Sequence, residues 1–229
     1  MLSERAKSVL PMPVRRWLDR CHRRYDFWLA MQQFAWRPDA RPLTPKLIRR
    51  FRHGWGNEKY SAGHEYIEAL VEHAWQCDGP ILECGAGLST VLLGLIARRI
   101  GQRVWSLEHQ AKWADHVRDA LRKWRIRTVE LCVNDLRSYG SFTWYAPPVE
   151  RMPDGFALVA CDGPPRGTPG GRYGLLPVMR SRLRSGCLII ADDAQRPEDR
   201  AVIEAWAKEL RAEVTTFGTE RGVALLRVP

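Results

Sequence analysis

The chain has 229 residues, of which 45% are hydrophobic and 27% charged, as is ordinary for a globular protein. No apolar run reaches the roughly 18 residues that a membrane span needs, and Arg15, Arg16 and Asp19 interrupt any signal-peptide core. The six cysteines show no Cys-x-x-Cys spacing, which argues against a zinc site or a disulfide framework. We therefore expect a cytoplasmic protein with reduced thiols and no integral membrane association.

The net charge of +10 is concentrated at one end of the chain. Residues 1–60 hold 14 Lys and Arg but 5 Asp and Glu, which leaves a balance of only +1 for the other 169 residues. We predict a basic helical extension over residues 1–60 and a nearly neutral domain over residues 61–229. Any partner that the positive charge attracts is expected to bind the extension.

Residues 12–36 interleave apolar side chains and arginines at helical spacing, which predicts one amphipathic helix. Such a helix is suited to bind a membrane surface or nucleic acid. The alternative, which we favour, is that it packs on the domain of residues 61–229 and keeps a solvated arginine face. In that case at least part of the aromatic stripe formed by Trp17, Trp28 and Phe34 is buried.

Two further helices are predicted before the first strand. Thr44-Pro45 provides an N-cap and a first helical residue for a short helix that runs through Phe51. Ser61 is expected to cap the second helix, which continues as an apolar stripe to Ala74.

From residue 80 onward, apolar runs alternate with amphipathic stretches, as in parallel strands joined by crossover helices. The predicted strands are 80–84, 103–108, 127–133, 156–161 and 186–191. The predicted helices are 88–100, 111–125, 173–184 and 197–211, with a short turn near 135–139. Two last strands, 213–217 and 223–228, are joined so closely that they must pair antiparallel. The sequence thus predicts an α/β fold with a doubly wound, mostly parallel seven-stranded sheet that ends in a C-terminal antiparallel hairpin.

Residues 81–90 combine a buried strand, a glycine-rich turn and the start of a helix, which is an arrangement suited to hold a nucleotide. Gly85 and Gly87 let the backbone bend tightly and approach a ligand closely. Glu108 ends the second apolar run, 21 positions beyond Gly87, where a carboxylate can accept hydrogen bonds from both ribose hydroxyls. Glu83 would repel a pyrophosphate but suits a cationic amino group.

An acid followed by Gly-x-Gly at the end of the first strand resembles the first motif of class I S-adenosylmethionine-dependent methyltransferases. The resemblance covers roughly residues 61–229, and it implies a Rossmann-like methyltransferase fold with S-adenosylmethionine as the cofactor. Glu83 would then hold the amino group, Glu108 the ribose, and Asn134 or Asp135 the adenine. The cofactor-binding candidates are Tyr60, Ser61, Glu83, Gly85, Gly87, Ser89, Glu108, His109, Asn134, Asp135 and Asp162.

Three carboxylates follow the fourth and fifth predicted strands: Asp162, Asp192 and Asp193. Brought to one edge of the sheet, they repel one another unless a cation or a substrate ammonium group neutralises them. The pattern is similar to that of catechol-type and caffeoyl-coenzyme-A O-methyltransferases, in which an Asp and an Asp-Asn pair hold Mg²⁺. The resemblance implies a small-molecule hydroxyl as the substrate and Mg²⁺ as a second cofactor on these three residues. Here Asp193 stands where the family has Asn.

The general base that this family takes from a lysine has no counterpart in the chain, because Pro165 stands at the corresponding position. Arg166 follows it, and an arginine stays protonated and cannot act as a base. The catalytic candidates are therefore Asp162, Asp193 and His109, with a bound metal as another way to lower the pKa of the hydroxyl.

The sequence leaves two alternatives to a methyltransferase that acts on a small-molecule hydroxyl. The first is an RNA-binding protein or RNA methyltransferase that uses the Arg-rich N-terminus, with nucleic acid as the less favoured partner. The second is a nicotinamide-dependent oxidoreductase. It would call for a third glycine in the nucleotide-binding turn, at the position of Thr90.

Overall fold

The computed structural model describes residues 10–35, 43–57 and 62–229. The predictions for Tyr60 and Ser61 lie outside these residues. Two compact units divide the chain, the first with residues 10–35 and 43–57 and the second with residues 62–229. No helix among the described residues is long and apolar enough to cross a membrane.

The first unit contains helix α1 (Met12–Ala35) and helix α2 (Pro45–Trp55). The start of α2 is as predicted: the Thr44 hydroxyl accepts a hydrogen bond of 3.3 Å from a backbone N–H of the first turn, and Pro45 takes the first helical position. The helix runs one turn beyond the predicted end and stops at Gly56, whose φ of +80° is left-handed.

Helix α1 packs on α2 through aromatic side chains. Phe34 is buried, and its ring centroid lies 5.8 Å from that of Phe51 in an edge-to-face arrangement. A side chain at Gly54 would collide with Phe27, so the glycine permits the close approach of the two helices.

The predicted aromatic stripe of α1 is divided between two faces. Phe34 is buried and packs on Phe51 of α2, whereas Trp17 and Trp28 are exposed. The packing of α1 on residues 61–229 stays a prediction. Helix α1 therefore carries large apolar side chains on a buried face and on an exposed one.

The second unit is built on a seven-stranded sheet, which confirms the predicted fold class. Its strands are β1 (Ile81–Cys84), β2 (Val104–Glu108), β3 (Val129–Val133), β6 (Phe156–Cys161), β7 (Leu183–Ala191), β8 (Val214–Phe217) and β9 (Val223–Arg227), while β4 (Leu136–Ser138) and β5 (Thr143–Tyr145) form a separate pair. The strand order is β3-β2-β1-β6-β7-β9-β8. Strand β9 pairs antiparallel with both neighbours, and the other pairs are parallel.

Helices connect these strands: α3 (His64–Trp75), α4 (Leu88–Ile100), α5 (Ala111–Lys123), α6 (Leu175–Met179) and α7 (Pro197–Leu210). The chain runs outward from β1 through β2 to β3 and then returns to β6 on the other side of β1. In open α/β sheets, ligands bind at the carboxyl ends of the strands beside such a reversal. The fold thus places a binding site at the ends of β1 and β6.

The prediction of a short turn near 135–139 is wrong. This segment contains β4, which pairs antiparallel with β5. The Tyr139 hydroxyl donates a hydrogen bond of 2.9 Å to the Tyr145 carbonyl, and Trp144 is fully buried. Burial of the β5 aromatic residues therefore stabilises a pair of strands too short to show periodicity.

The prediction of one helix over 173–184 is also wrong. The segment is the short helix α6 between two 3-10 turns, and β7 begins at Leu183, three residues earlier than predicted. A side chain at Gly174 would collide with Trp144, so the glycine permits the close approach of this segment to the β4-β5 pair.

Helix α3 begins at His64, and Gly63 occupies the N-cap position that was predicted for Ser61. Gly63 has no side chain with which to cap the helix. The Gly63 N–H donates instead to Asp192 Oδ2 at 2.9 Å. The start of α3 is therefore attached to the end of β7, next to the ligand edge of the sheet.

Candidate functional site

The loops that follow β1 and β6 approach each other closely at two glycines. Gly85 has a φ of +97°, a left-handed conformation that favours glycine. A Cβ atom at this position would lie 3.2 Å from the Gly163 nitrogen, and one at Gly163 would collide with the Tyr145 hydroxyl. The two glycines therefore allow the loops at the ends of β1 and β6 to lie close together at one edge of the sheet.

Gly87 faces open space at this edge. Its φ of −177° is ordinary extended backbone, and no heavy atom of the described residues lies within 4 Å of the position that a Cβ would take. The Gly87 N–H donates to the Thr90 hydroxyl at 2.8 Å. Helix α4 begins at the next residue, so its free N–H groups lie beside the same space. The predicted glycine turn between β1 and α4 is therefore formed, and its binding of a nucleotide stays a prediction.

Glu83 is buried at the end of β1 and is held by hydroxyl groups. Oε2 accepts hydrogen bonds from the hydroxyls of Thr90 at 2.6 Å and Ser106 at 2.5 Å. Oε1 is buried and has no hydrogen-bond partner among the residues that the structure describes. A buried carboxylate oxygen without a donor carries a desolvation cost, so Oε1 fits a cationic group of a ligand.

Burial raises the pKa of Glu83 to about 7, although the hydrogen bonds from Ser106 and Thr90 favour the charged form. A ligand ammonium group at Oε1 would favour the carboxylate further and lower this pKa. Ser89 is buried in the first turn of α4, and its role in cofactor binding stays a prediction.

Glu108 lies at the end of β2, as predicted, and is held by backbone groups. Oε1 accepts hydrogen bonds of 2.7 Å from the N–H groups of His109 and Gln110, and Oε2 accepts one of 3.3 Å from Ala86. A carboxylate offers about four acceptor sites, so at least one is left for a ribose hydroxyl. His109 Nδ1 lies 3.1 Å from Glu108 Oε1, so the imidazole ring of this predicted site residue lies beside the Glu108 carboxylate.

The two candidates for adenine recognition are exposed at the end of β3. They are Asn134 and Asp135, and the Asn134 N–H donates to the Glu108 carbonyl at 3.0 Å. Their position at this edge agrees with the predicted placement, and their role in cofactor binding stays a prediction.

The three predicted carboxylates come together around an arginine that the sequence did not single out. Arg172 is only 4% exposed. Its Nη2 lies 3.2 Å from Asp162 Oδ1 and 3.0 Å from Asp193 Oδ2, and its Nε lies 3.5 Å from Asp199 Oδ1. Its Nη1 donates to the Asp192 carbonyl. The guanidinium therefore lies between acids from the ends of two neighbouring strands.

Other hydrogen bonds and ion pairs occupy most of the carboxylate oxygens of Asp192 and Asp193, which follow β7. Asp192 accepts hydrogen bonds of 2.9 Å from the Gly63 and Asp193 N–H groups, one on each oxygen. Asp193 Oδ2 lies 2.7 Å from Arg196 Nη1 in addition to its contact with Arg172.

These residues do not fit the predicted Mg²⁺ site. One oxygen from each of Asp162, Asp192 and Asp193 lies within 4.8 Å of the others, but the cation they require is already present as Arg172. A divalent ion would lie beside a buried guanidinium, and like charges about 4 Å apart repel by roughly 4 kcal/mol per pair of unit charges near a protein surface. The carboxylates thus form an ion network with arginine.

We expect the protein to bind its cofactor equally well in EDTA and in Mg²⁺. Calorimetric titration of Mg²⁺ or Mn²⁺ into the protein should show no binding below the millimolar range. Saturable metal binding that is lost in Asp162→Asn would contradict the assignment of Arg172 as the cation of this site.

Burial raises the pKa of Asp162 well above its usual range, and Asp192 raises it further, while Arg172 opposes the change. The Asp162 side chain is 23% exposed, compared with 3% for Asp193. Of the predicted bases at this end of the site, Asp162 is the one that combines a raised pKa with access to solvent.

A cleft of about 440 Å³ opens beside Arg172, within the range of small-molecule sites. It lies between the loop after β6 and the start of α7. Its lining residues are Pro164, Pro165, Arg166, Gly167, Thr168, Gly170, Gly171, Arg172, Arg196, Glu198, Asp199 and Val202.

No family model matches the sequence, and no curated protein matches it. Solved structures match its fold over most of its length. The S-adenosylhomocysteine-bound methyltransferase PaMTH1 of Podospora anserina is 14% identical, with a TM-score of 0.61 over 89% of this chain and 96% of that one. The chain has the Rossmann-like methyltransferase fold.

Two further structures agree with this. TomG of Streptomyces achromogenes, an O-methyltransferase of tomaymycin synthesis in complex with S-adenosylmethionine, is 16% identical, with a TM-score of 0.56 over 79% of this chain and 87% of that one. An O-methyltransferase from Bacillus cereus in complex with S-adenosylhomocysteine is 17% identical, with a TM-score of 0.54 over 91% of each chain. The predicted resemblance to class I methyltransferases is confirmed at the level of the fold.

Proposed function

We propose that this protein is an S-adenosylmethionine-dependent methyltransferase that acts on the hydroxyl group of a small molecule. The observation that carries the proposal is the unpaired, buried Oε1 of Glu83, whose other oxygen is linked through the Thr90 hydroxyl to the Gly87 N–H. A cationic amino group satisfies this oxygen, whereas the pyrophosphate of a nicotinamide cofactor would be repelled by it. The fold agrees, since similar structures hold S-adenosylmethionine or S-adenosylhomocysteine.

The site offers a separate contact for each part of the cofactor. Glu83 would bind the amino group, Glu108 the ribose hydroxyls, and Asn134 or Asp135 the adenine. The bound cofactor supplies an electrophilic methyl group. The protein's own task is then to hold the acceptor oxygen in line with that methyl and to take up the hydroxyl proton.

Asp162 is our candidate for the group that takes up the proton. It lies at the end of β6, next to the glycine turn, and its raised pKa makes it a stronger base than an exposed carboxylate. Arg172 holds one of its oxygens at 3.2 Å and fixes its position. Asp193 is less suited, because Arg172 and Arg196 both contact its Oδ2 and it is almost fully buried.

Substitution of Gly87 tests the proposal with little risk to the fold. Gly87→Val adds a side chain to open space on extended backbone, so we expect a thermal unfolding midpoint close to that of wild type. We also expect the loss of detectable S-adenosylhomocysteine binding in calorimetry, with Gly87→Ala in between. Binding of NADH without a response to S-adenosylhomocysteine would overturn the proposal. So would unchanged affinity in a folded Gly87→Val protein.

A further inference from the structure

The proposed function does not account for the basic first unit of the chain. Its described parts, residues 10–35 and 43–57, hold 9 Lys and Arg but only 2 Asp and Glu. It also exposes large aromatic side chains on α1. A surface that combines both features indicates a partner with negative charge and an apolar layer.

The exposed aromatic side chains of α1 form one continuous face. Trp17, Tyr25 and Trp28 are 57%, 58% and 46% exposed, and the rings of Tyr25 and Trp28 stack with centroids 6.3 Å apart. At about 100° per residue, these three and Cys21 fall within an arc of about 80°. We call these four residues the aromatic face. Phe34, which is buried, lies on a different side of the helix.

Two exposed arginines, Arg20 and Arg24, lie nearer the aromatic face than either acid of α1. Arg16, Arg20 and Arg24 form a row that runs obliquely toward the face: Arg24 points about 60° from its middle, Arg20 about 100° and Arg16 about 140°. The two acids of α1, Asp19 and Asp26, point about 140° or more from the middle of the aromatic face. Within the described residues of the first unit, the aromatic face therefore carries no carboxylate.

We propose that the aromatic face docks on an anionic lipid surface, with α1 lying parallel to the membrane plane. Trp and Tyr rings prefer the level of the lipid headgroups, and helices that lie in this interface place arginines beside an apolar face. Arg20 and Arg24 then reach the headgroup phosphates. Duplex nucleic acid would satisfy the arginines but offers no apolar layer to the aromatic rings, so lipid is the partner that uses both features.

Vesicle sedimentation of the full chain tests this proposal. Wild type should bind anionic vesicles of phosphatidylcholine mixed with phosphatidylglycerol and should dissociate from them at high salt. It should bind vesicles of pure phosphatidylcholine at least about tenfold more weakly. Trp17→Ala combined with Trp28→Ala should weaken binding at least about tenfold. Changing Arg16, Arg20 and Arg24 to Gln should weaken binding to the anionic vesicles by about fivefold per charge.

Matched variants in the second unit serve as controls. Phe217→Ala removes another exposed aromatic side chain, and the change of Arg103, Arg118 and Arg122 to Gln removes the same number of exposed charges. Both should bind the anionic vesicles like wild type. Circular dichroism should show that every variant is folded.

Several results would overturn the proposal. One is the absence of binding to anionic vesicles at low salt, and another is equal weakening by the control variants and the α1 variants. A preference for single-stranded RNA over the vesicles would assign the face to nucleic acid. A dimer in light scattering that becomes a monomer in the tryptophan variant would assign it to a second copy of the chain.

Discussion

Replacement of Arg172 by methionine is expected to destabilise the second unit by about 3–5 kcal/mol, the usual cost of removing one partner from a buried ion pair. The side chain is 4% exposed, and its guanidinium is shared between Asp162 and Asp193. Methionine fills a similar volume but leaves these carboxylates without their cation. It also removes the donor to the Asp192 carbonyl.

The destabilisation should depend on pH. Burial already holds the pKa of Asp162 above its usual range, and removal of the guanidinium raises it further. A carboxylate whose pKa is higher in the folded than in the unfolded state costs stability as the pH rises above the unfolded value. In Arg172→Met the Asp162 carboxyl stays protonated to a higher pH than in wild type, so the deficit should grow as the pH rises through the raised pKa of Asp162 and shrink below it.

Urea unfolding at several pH values measures this effect. Arg118→Met is the matched control, because Arg118 pairs with Asp115 within one helix and both side chains are exposed. Such a pair contributes at most about 1 kcal/mol. A loss in Arg172→Met no larger than that of the control, or a loss that is the same at every pH, would contradict the role of Arg172 as the cation of the cluster.

Arg172 shows where prediction from the sequence stops. The tips of parallel strands must meet, so the convergence of Asp162 and Asp193 could be predicted, together with the need for a cation. The source of that cation could not. Arg172 lies in a glycine-rich loop without periodicity, and its partners are up to 27 positions away in the chain. The sequence therefore assigned the charge to a metal.

The same limit separates the elements that were predicted correctly from the others. Helix α4 has the predicted bounds of 88–100, because its apolar pattern is long and follows a glycine turn. The predictions for the β4-β5 segment and for α6 were wrong, because neither segment has a long local pattern. Trp144 of β5 is buried, and the turn before α6 packs against it at Gly174. The place of Glu83 at the end of the first strand was enough to predict a ligand-binding acid. Its hydroxyl donors, Thr90 and Ser106, could not be predicted, because they come from two separate elements.

Binding of S-adenosylhomocysteine is expected to strengthen as the pH rises toward 7. Burial raises the pKa of Glu83 to about 7 in the free protein, so the carboxyl group is largely protonated below this pH. A bound ammonium group at Oε1 favours the carboxylate, and the complex therefore releases a proton as it forms. Affinity should rise by up to about tenfold per pH unit below 7 and fall again at the higher pH at which the free ligand amine loses its proton.

Glu83→Gln should remove this dependence below pH 7 and weaken binding at pH 7 by about tenfold to a hundredfold, because a charge-assisted contact is lost. Glu108→Gln is the matched control: it removes the other acid of the cofactor site but leaves Glu83, so it should weaken binding and keep the pH dependence. Calorimetry in two buffers with different ionisation enthalpies counts the protons released. Wild-type binding without proton release near pH 7, or an unchanged slope in Glu83→Gln, would show that the ligand amine does not bind at Glu83.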